Sequence, residues 1–241
     1  MSRILGLLVA TALPCGAITS AHATLITLSG TTVTYTFDDS LLGLFGPASV
    51  AGDNLYFTPT AFKAQSTSGA GTVTTSQLFD VTVAAMPGFE LNSLGVLERG
   101  DYLLYGPGTN TADVSGSLDL TTTANAIDAS LSSSAPLTIT GLPTNNWDES
   151  LVLDVSGWGA SLDLALTSDL SASSSQSGGI GFVEQKYAGI LTTTNSVPEG
   201  NTLIMLLIGL GLIGHQLTKT SLRSSVSSQA SLQSRSHLAS I

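Results

Sequence analysis

The chain has 241 residues, a formal net charge of −10 and only 10% charged residues; Ser, Thr, Ala and Gly fill the gap. An ordinary soluble domain is roughly 25% charged, so this composition suits thin strands and many turns and disfavours long salt-bridged helices. Between Thr24 and Val197 sixteen acids face three bases, Lys63, Arg99 and Lys186, with no Cys or His, which excludes a nucleic-acid face, a disulfide, a Cys or His metal site and a Ser-His or Cys-His pair there.

The first predicted element is an address. Arg3 opens a basic n-region, Ile4 to Leu13 is apolar, and Ala21-His22-Ala23 forms a small-x-small cleavage site before Thr24. Residues 1–23 therefore read as a signal peptide; the apolar run is shorter than the ~20 residues needed to span a bilayer. Cys15 follows Pro14, where a lipoprotein site wants a small residue.

Residues 24–196 read as one β ectodomain. Val33, Tyr35 and Phe37 alternate with threonines; Phe79, Val81 and Val83 alternate with Asp80 and Thr82. Val114, Leu118 and Leu120 share parity across Gly116, and Ile127–Leu131 and Leu162–Leu166 repeat the pattern. A period of two puts one face on a core and one in water. Gly52-Asp53, Gly100-Asp101, Pro107-Gly108 and Ser177-Gly178-Gly179 read as turns. The expectation is an all-β, antiparallel sandwich, jelly-roll-like, with roughly eight to twelve strands.

Several side chains in this segment are candidates for chemistry. Asp38 and Asp39 end one strand and Asp53 begins another, an oxygen-donor set suited to calcium, although Asp is also ordinary turn chemistry. Glu98-Arg99-Gly100-Asp101 reads as a hairpin joining two apolar strands. Glu90, Glu98, Glu149 and Glu184 are the glutamates available to a carboxylate-only hydrolase, but nothing in the sequence pairs them. Trp147, Trp158, Tyr56, Tyr102, Tyr105 and Tyr187 would stack on sugar rings if exposed and pack the core if not.

The last element is a second address. Val197-Pro198-Glu199 precedes an uncharged apolar run from Leu203 to Gly214, with Lys219 and Arg223 behind it. As a helix, Asn201–Thr218 is about long enough to cross a thin bilayer, with the bases on the cytoplasmic side. Ser221 to Ile241 holds nine serines and no acid and reads as a disordered tail.

Val197-Pro198-Glu199, the apolar span and the bases together resemble the PEP-CTERM sorting signal of Gram-negative bacteria. Gly200 stands where the family has Pro, and the chain continues well past the basic cluster. Tyr35–Asp39, Leu55–Pro59 and Leu97–Tyr102 are similar to an ectodomain type found before such signals. The resemblance implies export by the general secretion route and recognition by an exosortase, a membrane cysteine protease, in a biofilm- and exopolysaccharide-producing organism. The reading is thus a non-enzymatic cell-envelope or matrix protein without a cofactor. It consists of signal peptide 1–23, sandwich 24–196, sorting signal with transmembrane helix 197–220 and tail 221–241. The alternative is an exopolysaccharide-binding module.

Overall fold

Thr-rich alternation becomes strand wherever one parity finds a partner sheet. In the computed structural model the described residues are 24–197, 205–210 and 212–213. Ala21 and Ala23, Pro198 and Glu199, and the serine-rich tail lie outside them.

Twelve strands form two antiparallel sheets. They are β1 (Leu25–Ser29), β2 (Val33–Asp38), β3 (Ala48–Ala51), β4 (Asn54–Phe57), β5 (Lys63–Thr67), β6 (Gly71–Ala85), β7 (Phe89–Tyr105), β8 (Asn110–Thr121), β9 (Ala126–Ser132), β10 (Asn145–Asp154), β11 (Ser161–Ser174) and β12 (Ile180–Ser196). The first sheet runs β1-β2-β6-β11-β8-β9 and the second β10-β7-β12-β4-β3, with β5 also pairing with β12. The expectation of an antiparallel sandwich is met.

Its long strands repeatedly change sheet. β6 lies in the first sheet and β7 in the second, β8 in the first, β10 in the second, β11 in the first and β12 in the second. Each sheet thus receives its central strands late. β11 sits between β6 and β8, and β12 between β7 and β4.

The alternating residues supply the core. Val33, Tyr35, Phe79, Val83, Leu118, Leu120 and Leu166 are all fully buried. Their sequence neighbours point outward, as strand geometry requires. A knot of aromatic rings fills one end. Phe79 lies 4.8 Å from Phe57 and 5.2 Å from Phe37, with steep, edge-on interplanar angles. Phe45 joins it from a 3-10 helix, Asp39–Phe45, packing edge-on against Phe62 at 5.6 Å. Edge-to-face contacts of this kind add to the burial of the rings themselves.

The turns fall largely where Gly and Asp mark them. Gly52 has φ of 62°, a region open to glycine, and Gly52-Asp53 links β3 to β4. Pro107-Gly108 links β7 to β8, and Ser177–Gly179 links β11 to β12. Gly100-Asp101 is a correction. The stretch 98–101 is no hairpin but the interior of β7, paired with β10 on one side and β12 on the other. Gly100 sits there because a Cβ would come within 1.8 Å of the Glu184 carbonyl oxygen. Glycine inside a strand often marks such close backbone approach rather than a turn.

Beyond the sandwich, residues 205–210 and 212–213 are helical. Met205, Leu207 and Leu212 are each more than 60% exposed, so this apolar stretch is not part of the core. Among the described residues, no helix is long and apolar enough to cross a membrane.

Phe79 touches three other rings, so Phe79→Ala should cost about 3–5 kcal/mol. Thermal unfolding should show a Tm lower by roughly 10 °C.

Candidate functional site

Charge is sorted between the two outer faces. Lys63, Arg99 and Lys186, the three bases of residues 24–197, all project from the second sheet. Lys63 opposes Glu184 across β5–β12, and Glu184 opposes Asp101 across β12–β7. Asp101 in turn forms an ion pair with Lys186. The bond to Asp101 raises the Lys186 pKa. Arg99 lies one register step away, flanked by Tyr187 on β12 and Asp148 on β10.

A shallow cleft of about 460 Å³ opens at this place, lined by Arg99, Gly100, Asp101, Asn146, Asp148 and Lys186, with Trp147 at its floor. A β-bulge between Gln185 and Tyr187 helps to shape it. The extra residue turns Lys186 outward while Gln185 stays buried. Beside the cleft, the Tyr56 and Tyr187 rings meet at 5.7 Å with a 44° tilt. Burial first, and the nearby Tyr56 second, raise the Tyr187 phenol. The surface thus offers two rings, three cationic heads and several carboxylates within a few strand spacings.

The other face carries acids alone. An open groove of about 360 Å³ is lined by Asp38, Asp80, Asp119 and Asp163 among threonines and aliphatic side chains. Asp119 opposes Asp128 directly across β8–β9. Partial burial, and then that like charge, push the Asp119 carboxyl upward.

Each of the aspartates expected to hold calcium accepts at least one hydrogen bond from a backbone N–H. Asp38 caps the 3-10 helix, accepting from the Ser40 N–H at 2.8 Å. Asp39 accepts from the Thr24 N–H at 3.0 Å. Asp53 accepts from the Thr32 N–H at 2.7 Å and its hydroxyl at 2.6 Å. Burial opposes ionisation of Asp53, but these bonds and neighbouring N–H groups outweigh it and hold its carboxyl low. Among the described residues, no three His, Cys, Asp or Glu side chains gather in a set fit for a metal ion.

The aromatic candidates separate cleanly. Trp147 and Tyr102 are core residues, and Trp147 donates its indole N–H to the Glu184 carbonyl at 3.1 Å. Trp158 is partly buried against the core. Tyr105 is exposed but stands apart at the far end of β7. Only Tyr56 and Tyr187 form an adjacent pair among the candidates. Val197, the first residue of the expected sorting motif, follows β12 and bonds through its N–H to the Gly88 carbonyl.

Two glutamates that the sequence left unpaired prove to be neighbours. Glu98 on β7 and Glu149 on β10 are directly opposed in register, and both are fully buried. Ser168 and Gln185, from β11 and β12, are buried with them. The signal was faint but present: Glu98 has the parity of buried Val96 and Tyr102, and Glu149 that of Trp147. A polar residue at a core-facing position is the informative exception in an alternating pattern.

The architecture defines the class of this protein as an all-β sandwich with a mixed-charge cleft on one face and a buried acid layer within. Comparison with known proteins adds no family. No family model matches the chain, and no curated protein matches it. Among solved structures it is similar to the enzymatically active domain of tailspike protein 4 of bacteriophage CBA120, at 14% identity and a TM-score of 0.22, over 69% of this chain and 19% of that one. It is also similar to a chain in the structure of infectious bursal disease virus, Gt strain, at 12% identity and a TM-score of 0.23, over 75% of this chain and 60% of that one. The chain therefore spans about a fifth and three fifths of these two relatives.

The cleft exists because two backbones meet at Gly100. Gly100→Ala should push β7 away from Glu184 and the Trp147 indole, destabilising the domain by about 3 kcal/mol. The Trp147 fluorescence spectrum should shift with the loss of its hydrogen bond, and an unchanged spectrum and Tm would contradict this packing.

Proposed function

We propose that this is an exported cell-envelope or matrix protein, non-enzymatic, whose jelly-roll-like sandwich is delivered by residues 1–23 and held at the membrane by residues 197–220. The tail retains the chain in the inner membrane until an exosortase-type membrane protease acts near Val197-Pro198-Glu199. The acidic sandwich then sits on the cell surface or in the biofilm matrix. The observation that carries this reading is the abrupt end of the domain. β12 finishes at Ser196, and the described apolar side chains Met205 to Ile208, Leu210, Leu212 and Ile213 stand exposed instead of entering the core. Exposed apolar side chains in a row seek a lipid or protein environment. The sealed position of Glu98 and Glu149 also favours a non-enzymatic role, because no substrate reaches carboxyls without solvent contact.

Intact-mass measurement on envelope and medium fractions tests the reading. The expected species begins at Thr24 and ends near Pro198. A chain ending at Ile241 in the envelope alone would mean permanent anchoring, and a cytosolic chain with its first residues intact would end the proposal.

A second reading is an exopolysaccharide-binding module, favoured by the Tyr56–Tyr187 pair beside the Arg99 cleft. Stacked aromatic faces with charged hydrogen-bonding groups at their edge suit a sugar ring. Tyr187→Ala should then lower retention on purified exopolysaccharide at least tenfold with little change in Tm, and equal retention of both proteins would remove this reading.

A further inference from the structure

One layer of the sandwich interior is not apolar. Glu98, Glu149, Ser168 and Gln185 come from β7, β10, β11 and β12, and none has measurable solvent exposure. The two carboxyls belong to directly opposed residues, so their Cβ atoms lie about 5 Å apart. The Ser168 hydroxyl donates to Glu98 Oε1 at 2.6 Å. With both carboxyls ionised, Glu98 Oε2, both Glu149 oxygens and both amide atoms of Gln185 are left without a partner.

Among the described residues no positive charge faces this layer. Arg99 and Lys186 follow Glu98 and Gln185 in sequence and project from the outer surface. β8 contributes only the negative field of Asp113, which acts on Glu149. The buried residue of β9 is Leu131, and the flanking inward residues of β7 and β10 are Val96, Gly100 and Trp147. Two buried carboxylates in contact without a cation are prohibitively costly. One proton changes the arrangement: a protonated Glu149 becomes a donor to the remaining Glu98 carboxylate.

We propose that Glu98 and Glu149 share a proton across the β7–β10 ladder, and that this proton latches β10 to the sandwich. β10 is the element to let go because it is the edge strand of its sheet, paired with β7 alone, whereas β7 is paired on both sides. Loss of the proton to hydroxide leaves two like charges between β7 and β10. The cheapest relief is to lift β10 into water, where both carboxylates hydrate.

Burial first, and contact with Glu98 second, raise Glu149 to about 9, and Glu98 is raised as well. Carboxyls raised in the folded state bind more protons folded than unfolded. Their contribution is therefore fully present in acid, and stability declines as pH rises from the ordinary carboxyl range toward about 9.

The test uses the full chain. Infrared spectra near neutral pH should contain the carbonyl band of a protonated carboxyl, weakened or shifted in Glu149→Gln. Tm should fall by roughly 5 °C or more between about pH 6 and about pH 9, and Glu149→Gln should lose most of that slope. Asp119, also raised but on the outer face, is unaffected by this variant, so the difference isolates the pair. Hydrogen exchange, corrected for its intrinsic pH dependence, should release residues 145–154 before the strands of the sheet centre at high pH. Absence of the protonated band in the native protein would overturn the proposal even if the variant failed to fold. So would a pH-independent Tm. A rise in Tm on adding calcium at neutral pH, reversed by chelator and lost in Glu149→Gln, would make the layer a cation site and also overturn it.

Discussion

The antiparallel ladder between β7 and β12 organises the rest of the structure. It runs through Ile180–Ser196 on one strand and Phe89–Tyr105 on the other, interrupted by two register shifts. Pairing at this length fixes the parity of every side chain along both strands, because a slip of one residue would exchange the two faces. Val96, Tyr102, Val183 and Ile190 face the first sheet in consequence, and Arg99, Asp101 and Lys186 face water. The bulge at Lys186 adjusts that parity locally and so positions both the outer cleft and the inner polar layer.

Much of this was legible in the sequence wherever alternation was pure. Val33–Phe37, Phe79–Val83 and Leu162–Leu166 declare their strands because Thr, Asp or Ala separates large apolar residues, and each is buried on the apolar parity. The stretch Glu98–Asp101 was misleading for a physical reason. Its charges and glycine are what a tight turn selects, yet Gly100 serves close contact with the Glu184 carbonyl and Trp147. Local composition does not distinguish a glycine needed for its backbone from one needed for its missing side chain. Parity hinted that Glu98 and Glu149 are each buried, but their pairing was hidden because about fifty residues separate them, and only the β7–β10 register brings them together. The Tyr56–Tyr187 pair was hidden in the same way by a still longer separation.

The distribution of charge follows the same logic. Residues 24–197 hold sixteen acids, two of them buried, against three bases, and such a surface will repel itself unless the bases are well spent. Gathering Lys63, Arg99 and Lys186 on the second sheet leaves the first sheet uniformly acidic, with Asp119 and Asp128 opposed. Exposed pairs such as Lys186–Asp101 contribute little stability. Their effect is to make one broad face chemically distinct from the other, which gives the sandwich a front and a back.

The position of β12 has a consequence for how the domain is made. The strand at the middle of the second sheet is also the final strand of the domain, and its partners were synthesised far earlier. Such non-local pairing makes for high contact order and slow closure. During translation the second sheet has no centre until residues 180–196 have emerged, so premature folding is blocked by the order of the chain itself. The second sheet can therefore close around its middle only after Ser196 has been delivered.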